Sequence, residues 1–325
     1  MKSPPGIAIG TVIASVLVAG TASAQSYPGK PIRLVVPYLA GASSNDILGR
    51  DIAQRLTKRL GQQVVVDNRS GASGTLGSEI VAKSPPDGYT LLVGVAAPLS
   101  VGPSVYPKLG FDPVKDLAPI ARFAMVPYVM AVNPTVPAKN IPEFIAYAKA
   151  QAGKVNYGSS GNGGSPHLCG ELFKTLTGIE MTHVPYKGGA QAMVDVLGGR
   201  LQMICTGATA LSAHIRSGKL RAIGMATITR SSQMPELPTI AEQGVKGFDV
   251  NSWTGLLAPA GTPQAIIRRL YDEVAYLVKT EEMQKFILST GAEPALMDPK
   301  EFGAYIKSEL AVWSKVVKTA NVRID

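Results

Sequence analysis

The 325 residues are 46% hydrophobic and 17% charged, which excludes a disordered chain and allows one large or two smaller globular domains. The formal charge of +9 comes without runs of Lys and Arg or interleaved aromatics, so no nucleic-acid surface is expected. Two cysteines are too few for a disulfide framework, and with no C-x-x-C or His/Cys cluster neither a metal nor a cofactor is expected.

Lys2 precedes an apolar stretch, Ile7 to Gly20, and Ala22-Ser23-Ala24 has the small-x-small pattern of a secretory cleavage site. Residues 1–24 are expected to be a signal peptide cleaved after Ala24, because the run is shorter than the ~20 residues a membrane span needs. The mature chain then works outside the cytoplasm, with Cys169 and Cys205 expected as free buried thiols.

Strand and helix patterns alternate from there. Ile32 to Val36 reads as a strand, and Leu48, Ile52, Leu56 and Leu60 mark a helix that Gly61 stops. A β-branched strand covers Val64 to Val66, a loop feeds a short helix in GASGTLGSEIVAK, and Tyr89 to Val95 is a further strand. Pro98 to Pro119 reads as irregular linker. Ile120 to Val132 is a long extended run, in which Pro127 argues for an edge or crossover strand. Helices are expected after Pro142, around Leu168, Leu172 and Leu176, in AQAMVDVLGG and over Ala208 to Gly218. Strands are expected at Val155 to Tyr157, Met181 to Val184, Leu201 to Cys205 and Leu220 to Ala226. Phe248 to Leu257 returns as extended chain. Two helices end the protein, one marked by Ile266, Leu270, Val274 and Leu277, the other by Phe302, Ile306, Leu310, Trp313 and Val317.

Strands separated by helices of this length imply parallel sheets with crossover helices. Two such groups flank the 120–132 run. If that run pairs with 248–257, the second group is an insertion into the first.

Three loops follow strand ends: VVPYLAGASSND (35–46), the Gly-rich part of VNYGSSGNGGSPHLCGE (155–171) and HVPYKGGA (183–190). Each feeds a helix N-terminus, where unpaired N–H groups and the dipole attract anions. Singly, each is an ordinary turn or cap; together, on the C-terminal edges of α/β sheets, they point to a ligand site. Gly, Ser, Asn and Tyr suit a carboxylate held by neutral groups. Catalytic patterns are poor: G-x-S-x-G, Walker A and G-x-G-x-x-G are all absent. His167 is expected to order its loop, His183 to be a structural hydrogen-bonder, and His214 to sit on an ordinary helix. Lys187 is either an anion partner or a solvated lysine; Trp253 either lines a cleft or packs in a hinge. The alternative from another class is a secreted hydrolase using Ser159 or Ser160 with His167, for which no acid partner is apparent.

The segments YPGKPIRLVVPY, VVVDNRSGASGTLGSEIVAKSPPDGYTLL, YPKLGFDPVKDLAPI, KVNYGSSGNGGSPHLCGELF, THVPYKGGAQAMVDVLGGRLQ, HIRSGKLRAIG, LPTIAEQG and WTGLLAPAGTP run in order along the chain. In them the chain resembles the extracytoplasmic solute receptors of the tripartite tricarboxylate transporter, the Bug-type family. The resemblance implies an α/β, type II periplasmic-binding-protein fold: two α/β domains, a two-stranded hinge and a ligand cleft. Domain 1 is then residues 25–125 plus 250–325, and domain 2 is the inserted 126–249.

The implied function is a periplasmic, monomeric receptor, not an enzyme. It closes on a small organic anion, a di- or tricarboxylate or an aromatic acid, and delivers it to the transporter's membrane subunits; a sensing receptor without transport is the variant reading. The implied ligand residues are Tyr38, Leu39, Ala40, Gly41, Ser43, Ser44, Asn45 and Asp46 in the first loop, with Ala97 after the third strand. The second loop offers Ser159, Ser160, Gly161, Gly163, Ser165 and His167; the third offers Tyr186, Lys187 and Gly188. Cys205, Thr206 and Trp253 complete the set. Many members have Phe-Asp-Asn where Cys205, Thr206 and Gly207 stand here, and a polar pair where GVAAPLS is apolar. The missing acid argues against an amino-acid ligand, and small walls at Ala96, Ala97 and Gly207 favour a larger or aromatic one.

Overall fold

The computed structural model describes Met1 and residues 27–40, 44–106, 108–186 and 188–319. Residues 2–24 of the expected signal peptide lie outside the described residues, as do Gly41, Ser43 and Lys187.

The first strand group is β1 (Ile32–Val36), α1 (Ser44–Leu60), β2 (Val64–Asn68), α2 (Thr75–Ala82) and β3 (Thr90–Val95). β1 lies between β2 and β3, parallel to both. Its near-continuous apolar sequence reflects burial on two faces. On one face Leu34 and Val36 meet Leu48, Ile52 and Leu56 of α1; on the other Val35 meets Val81 of α2 and Leu92. Gly49 of α1 is a close-approach residue, since a Cβ there would sit 3.0 Å from Val93 Cγ2.

The first part of the expected linker after β3 is instead helical: a π-helical turn, Ala97–Val101, runs into α3 (Gly102–Val105). Pro98 and Pro103 fall in the first positions of these two turns, where a missing N–H costs nothing. Prolines that read as breakers are therefore helix starters here.

β4 (Leu117–Val132) begins three residues before the expected run and is the longest strand described. It leads into α4 (Ile141–Ala150), β5 (Asn156–Ser159), α5 (Ser165–Thr177), β6 (Thr182–Pro185), α6 (Gly189–Leu197), β7 (Met203–Gly207), α7 (Ala208–Arg216) and β8 (Arg221–Met225). β5 lies parallel between β6 and β7, repeating the arrangement of the first group. The ends of these helices follow their residues. Asn140 caps α4 by accepting from Glu143 N at 2.9 Å, while Glu143 reaches back to Lys139 N at 2.7 Å. Gly178 ends α5 at φ +66, the left-handed conformation that glycine alone adopts without strain.

The chain returns through β9 (Asn251–Pro259), α8 (Gln264–Lys279), α9 (Glu281–Ser289), β10 (Glu293–Met297) and α10 (Pro299–Thr319). The expectation of two closing helices missed α9 and β10. The strand order is β2-β1-β3-β9-β4-β7-β5-β6, with β10 and β8 also on β4. β4 pairs antiparallel with β9 from Leu117 to Pro127, then with β7 and β8 from Tyr128 to Val132. α10 spans both strand groups: Phe302 and Ile306 pack with Leu92 and Leu257, while Trp313 and Val316 join Phe144, Tyr157 and Phe173.

The expected free thiols are a correction. Cys169 of α5 and Cys205 of β7 are fully buried and joined as a disulfide across 36 residues of chain. Two lone cysteines on different elements carry no pairing signal until α5 is laid on β7. Closing a loop of that length stabilises a fold by about 3–4 kcal/mol in the chain-entropy account. Urea unfolding with and without reductant measures this, and coincident curves would contradict the pairing.

Candidate functional site

The first loop leaves β1 at Val36 and enters α1 at Ser44. Asp46 stands in the first turn, where negative charge suits the helix dipole. Its carboxylate is fully buried; Arg50 Nε donates to Oδ2 at 2.9 Å and Asn68 Nδ2 to Oδ1 at 2.7 Å. Asn68 also donates to Tyr38 O at 2.8 Å, so Asp46 and Asn68 fasten this loop from beneath. Asn45 Oδ1 accepts from Thr254 Oγ1 of β9 at 2.5 Å. Burial, then the phenols of Tyr128 and Tyr106, push the Tyr38 phenol well above its ordinary value. Tyr38 therefore stays a neutral hydrogen-bonding group at physiological pH. Leu39 and Ala40 are exposed.

The second loop is held by two neutral imidazoles. His167 and His183 stack with centroids 3.8 Å apart. Gly163 N donates to His167 Nδ1 at 3.0 Å, and His183 Nε2 is 2.7 Å from Ser159 Oγ. Ser159 Oγ also meets Gly161 O at 3.0 Å and Gly161 N at 3.1 Å. Gly161 and Gly163 take φ of +129 and +72, which this tight loop requires of glycine. Burial pushes both imidazoles down to about 4. Ser159 is thus buried and bonded to His183, not His167, while Ser160 is exposed. Ser165 starts α5, and its hydroxyl is a partner of the Tyr128 phenol, which burial pushes up to about 12.

The third loop is stitched to the second by Tyr186 N, which donates to Ser159 O at 3.1 Å. The Tyr186 phenol donates to Asp195 Oδ2 at 2.5 Å, so its hydroxyl serves α6. Gly188 is the N-cap of that helix.

Where α1, α7 and the β4–β9 crossing converge, a cleft of about 640 Å³ opens. Ser44, Asn45 and Ile47 form one wall, and Thr206, Gly207, Thr209 and Ala210 the opposite one. Val126, Tyr128 and Ser252 make the floor, with Ser289 and Thr290 at one end. Among the described lining residues none is charged. The first turns of α1 and α7 border it, and hydroxyls dominate the described side chains. Such a site stabilises an anion through dipoles and hydrogen bonds without an opposing full charge.

Of the sequence-predicted residues, the structure brings Ser44, Asn45 and Thr206 into this cleft, and links Ser165 to its floor through Tyr128. Two residues are corrections. Cys205 is fully buried in the disulfide, one residue short of the wall. Trp253 is fully buried behind the crossing, its Nε1 donating to Glu309 Oε2 at 2.5 Å and its ring edge-on to Phe302. Ala97 opens the π-helical turn and does not line the cleft. Sequence reasoning missed Val126, Tyr128, Ser252, Thr209, Ser289 and Thr290. Alternation along β4 and β9 offered a signal for the first three; nothing marked the end of α9.

Two α/β strand groups joined by a crossing pair, with a cleft at the crossing, are the architecture of the periplasmic-binding-protein fold. The comparisons agree. A family model described as the tripartite tricarboxylate transporter family receptor matches residues 48–322, and the chain belongs to that family. It is 36% identical over 317 residues to the protein BugT of Bordetella pertussis, covering 97% of each chain. The solved structure of R. palustris Rpa4515 with adipate is 36% identical, covers 92% of this chain and 100% of that one, and superposes with a TM-score of 0.77. MatC from Rhodopseudomonas palustris with bound malate is 29% identical, covers 90% and 100%, and gives 0.71. The family consists of solute-binding receptors, and this chain is not an enzyme.

The stacked imidazoles make the second loop acid-sensitive. Their folded values of about 4 lie below the ordinary 6.5. The stability linked to them is full above 6.5 and is lost as pH falls toward 4. The thermal midpoint should drop across that window, and a His167→Gln/His183→Gln variant should show a flatter limb. A level wild-type midpoint would contradict neutral stacking.

Proposed function

We propose that this chain is an exported, monomeric receptor that captures a small organic carboxylate in the 640 Å³ cleft and hands it to the membrane subunits of a tripartite tricarboxylate transporter. The observation that carries the reading is the cleft between the N-termini of α1 and α7, whose described lining is rich in hydroxyls and holds no charged residue. The adipate and malate in two solved relatives support a carboxylate as the ligand class. The proposal divides the chain at the crossing: residues 25–125 with 250–325 form one lobe and 126–249 the other, and export removes residues 1–24. The change of partners on β4 between Pro127 and Tyr128 supports that division.

Within the carboxylates, the walls favour a broad or aromatic body. Gly207 has φ −54 and ψ 135, a conformation open to any residue, so backbone strain does not require glycine there. A Cβ at Gly207 would lie 3.2 Å from Val126 Cγ1 and 3.9 Å from Tyr128 Cε1, on the cleft floor. The glycine keeps that floor open. The absence of a charged partner among the described lining residues disfavours an amino acid, whose ammonium would stand desolvated.

A thermal-shift screen tests this, with citrate, C4–C6 dicarboxylates, amino acids and aromatic acids as the panel. A ligand at a hundredfold excess over Kd stabilises the native state by ~2.7 kcal/mol. Ser44→Ala and Thr206→Val should each weaken the responding acid about tenfold, the order of one hydrogen bond to a charge. Gly207→Val should weaken aromatic acids more than short aliphatic ones. A panel in which only amino acids respond would overturn the ligand class.

A further inference from the structure

Besides the crossing strands, a second set of contacts joins the two halves beside the cleft. Ser231, Ser232 and Gln233 lie in the connector after β8; Glu293 opens β10. Ser231 Oγ donates to Glu293 Oε1 at 2.6 Å, Ser232 N to the same oxygen at 3.0 Å, and Ser232 Oγ to Oε2 at 2.7 Å. Gln233 Nε2 donates to Ala292 O at 3.3 Å, and Thr209 Oγ1 reaches Thr290 O at 3.4 Å. One carboxylate from the first half thus accepts three hydrogen bonds from the second.

The surrounding chain is shaped for this approach. Gly291 has φ +75, and a Cβ built on it would stand 1.6 Å from Thr209 Oγ1, so only glycine lets α7 come so near. Thr209 and Thr290 also line the cleft. The contact that draws the halves together and the contact that walls the cleft are therefore continuous. Among the described ion pairs Glu293 has no basic partner, so the Ser231–Ser232 donors are what its charge meets across the junction. Parting the halves would undo all three bonds together.

We propose that Glu293 is a positioning residue for ligand capture: it holds the halves at the binding angle without touching the ligand. This rests on the receptor reading above. Apparent affinity is the intrinsic affinity multiplied by the fraction of molecules in the competent state. A residue that acts only on that fraction must change the affinity of every ligand by one common factor. A residue that touches the ligand, or whose loss merely damages the cleft, changes ligands unequally.

Two measurements on the mature chain decide it. The first needs no ligand: small-angle scattering of wild type and Glu293→Ala. The variant should show a larger radius of gyration, with unchanged far-ultraviolet circular dichroism; identical radii would overturn the proposal. The second titrates adipate, malate and benzoate as probes. Glu293→Ala should weaken each probe that binds by the same factor, about 5- to 20-fold given three charge-assisted bonds, by slowing closure and speeding release. Glu293→Gln, which keeps an acceptor oxygen, should recover part of the loss. The Ser231→Ala/Ser232→Ala variant removes the donors and should reproduce the loss should Glu293→Ala fold poorly. Unequal factors, or no loss in either variant, would overturn the proposal. If wild type binds none of the probes, the receptor reading for these acids fails, and scattering alone decides whether Glu293 holds the halves.

Discussion

The antiparallel pairing of β4 with β9 is the constraint on which the rest of the structure depends. Both strands belong to the first sheet group, and β4 continues into the second, where it pairs with β7 and β8. Pro127 stands opposite Asn251 at the point where β4 changes partners. A proline has no N–H to give a ladder, so it is tolerated where one ladder ends and another begins. Side chains alternate across a strand. Val126, Tyr128 and Ser252 therefore face the cleft, while Asn251 and Trp253 face the opposite side. The crossing is at once the connection between the halves and the floor of the site.

Behind that floor lies a buried polar network. Glu309 of α10 accepts from Ser100 Oγ at 2.6 Å and from Trp253 Nε1 at 2.5 Å, and Tyr305 OH lies 3.3 Å from its other oxygen. Asn251 Nδ2 reaches both Tyr305 OH and Asp249 Oδ1. Burial pushes the Glu309 carboxyl up, and Asp249 nearby adds to the effect; three donors oppose it. Such a group is costly unless every partner stays in place, so it ties the π-helical turn, β9 and α10 into one unit. α10 then carries that unit onward, since Trp313 and Val316 belong to the second core. The hinge is thus backed by a helix anchored on both sides of it.

Much of the fold was legible because its signals are local. β1 and α1 are a continuous apolar run and a four-residue stripe, and Gly61 and Gly178 mark helix ends by their backbone freedom. The three loops were legible for the same reason, as glycine and hydroxyl residues ahead of helices. What failed was pairing between distant segments. The Cys169–Cys205 bond needs α5 laid on β7. The sequence leaves Trp253 open between the cleft and hinge packing; strand alternation turns it away from the cleft. α9 ends at the cleft only because α8 brings it back across β4, and no residue in Glu281–Ser289 announces that.

The lack of charge among the described residues of the cleft follows from the same architecture. Near the loops, charge lies beneath them: Asp46 with Arg50 and Asn68, Glu171 with Lys174 and Tyr157. These pairs fix loop geometry, and fixed loops aim backbone N–H groups at the cleft. Dipoles held this way need no reorganisation when an anion arrives, and they leave no unpaired buried charge when it departs. A receptor has to release what it binds. An arginine clamp would add affinity but leave a desolvated cation in the closed, empty state, whereas helix N-termini and hydroxyls are satisfied by water when the cleft opens. In a binding protein that cycles between filled and empty forms, the uncharged wall and the buried charges behind it are two parts of one electrostatic solution.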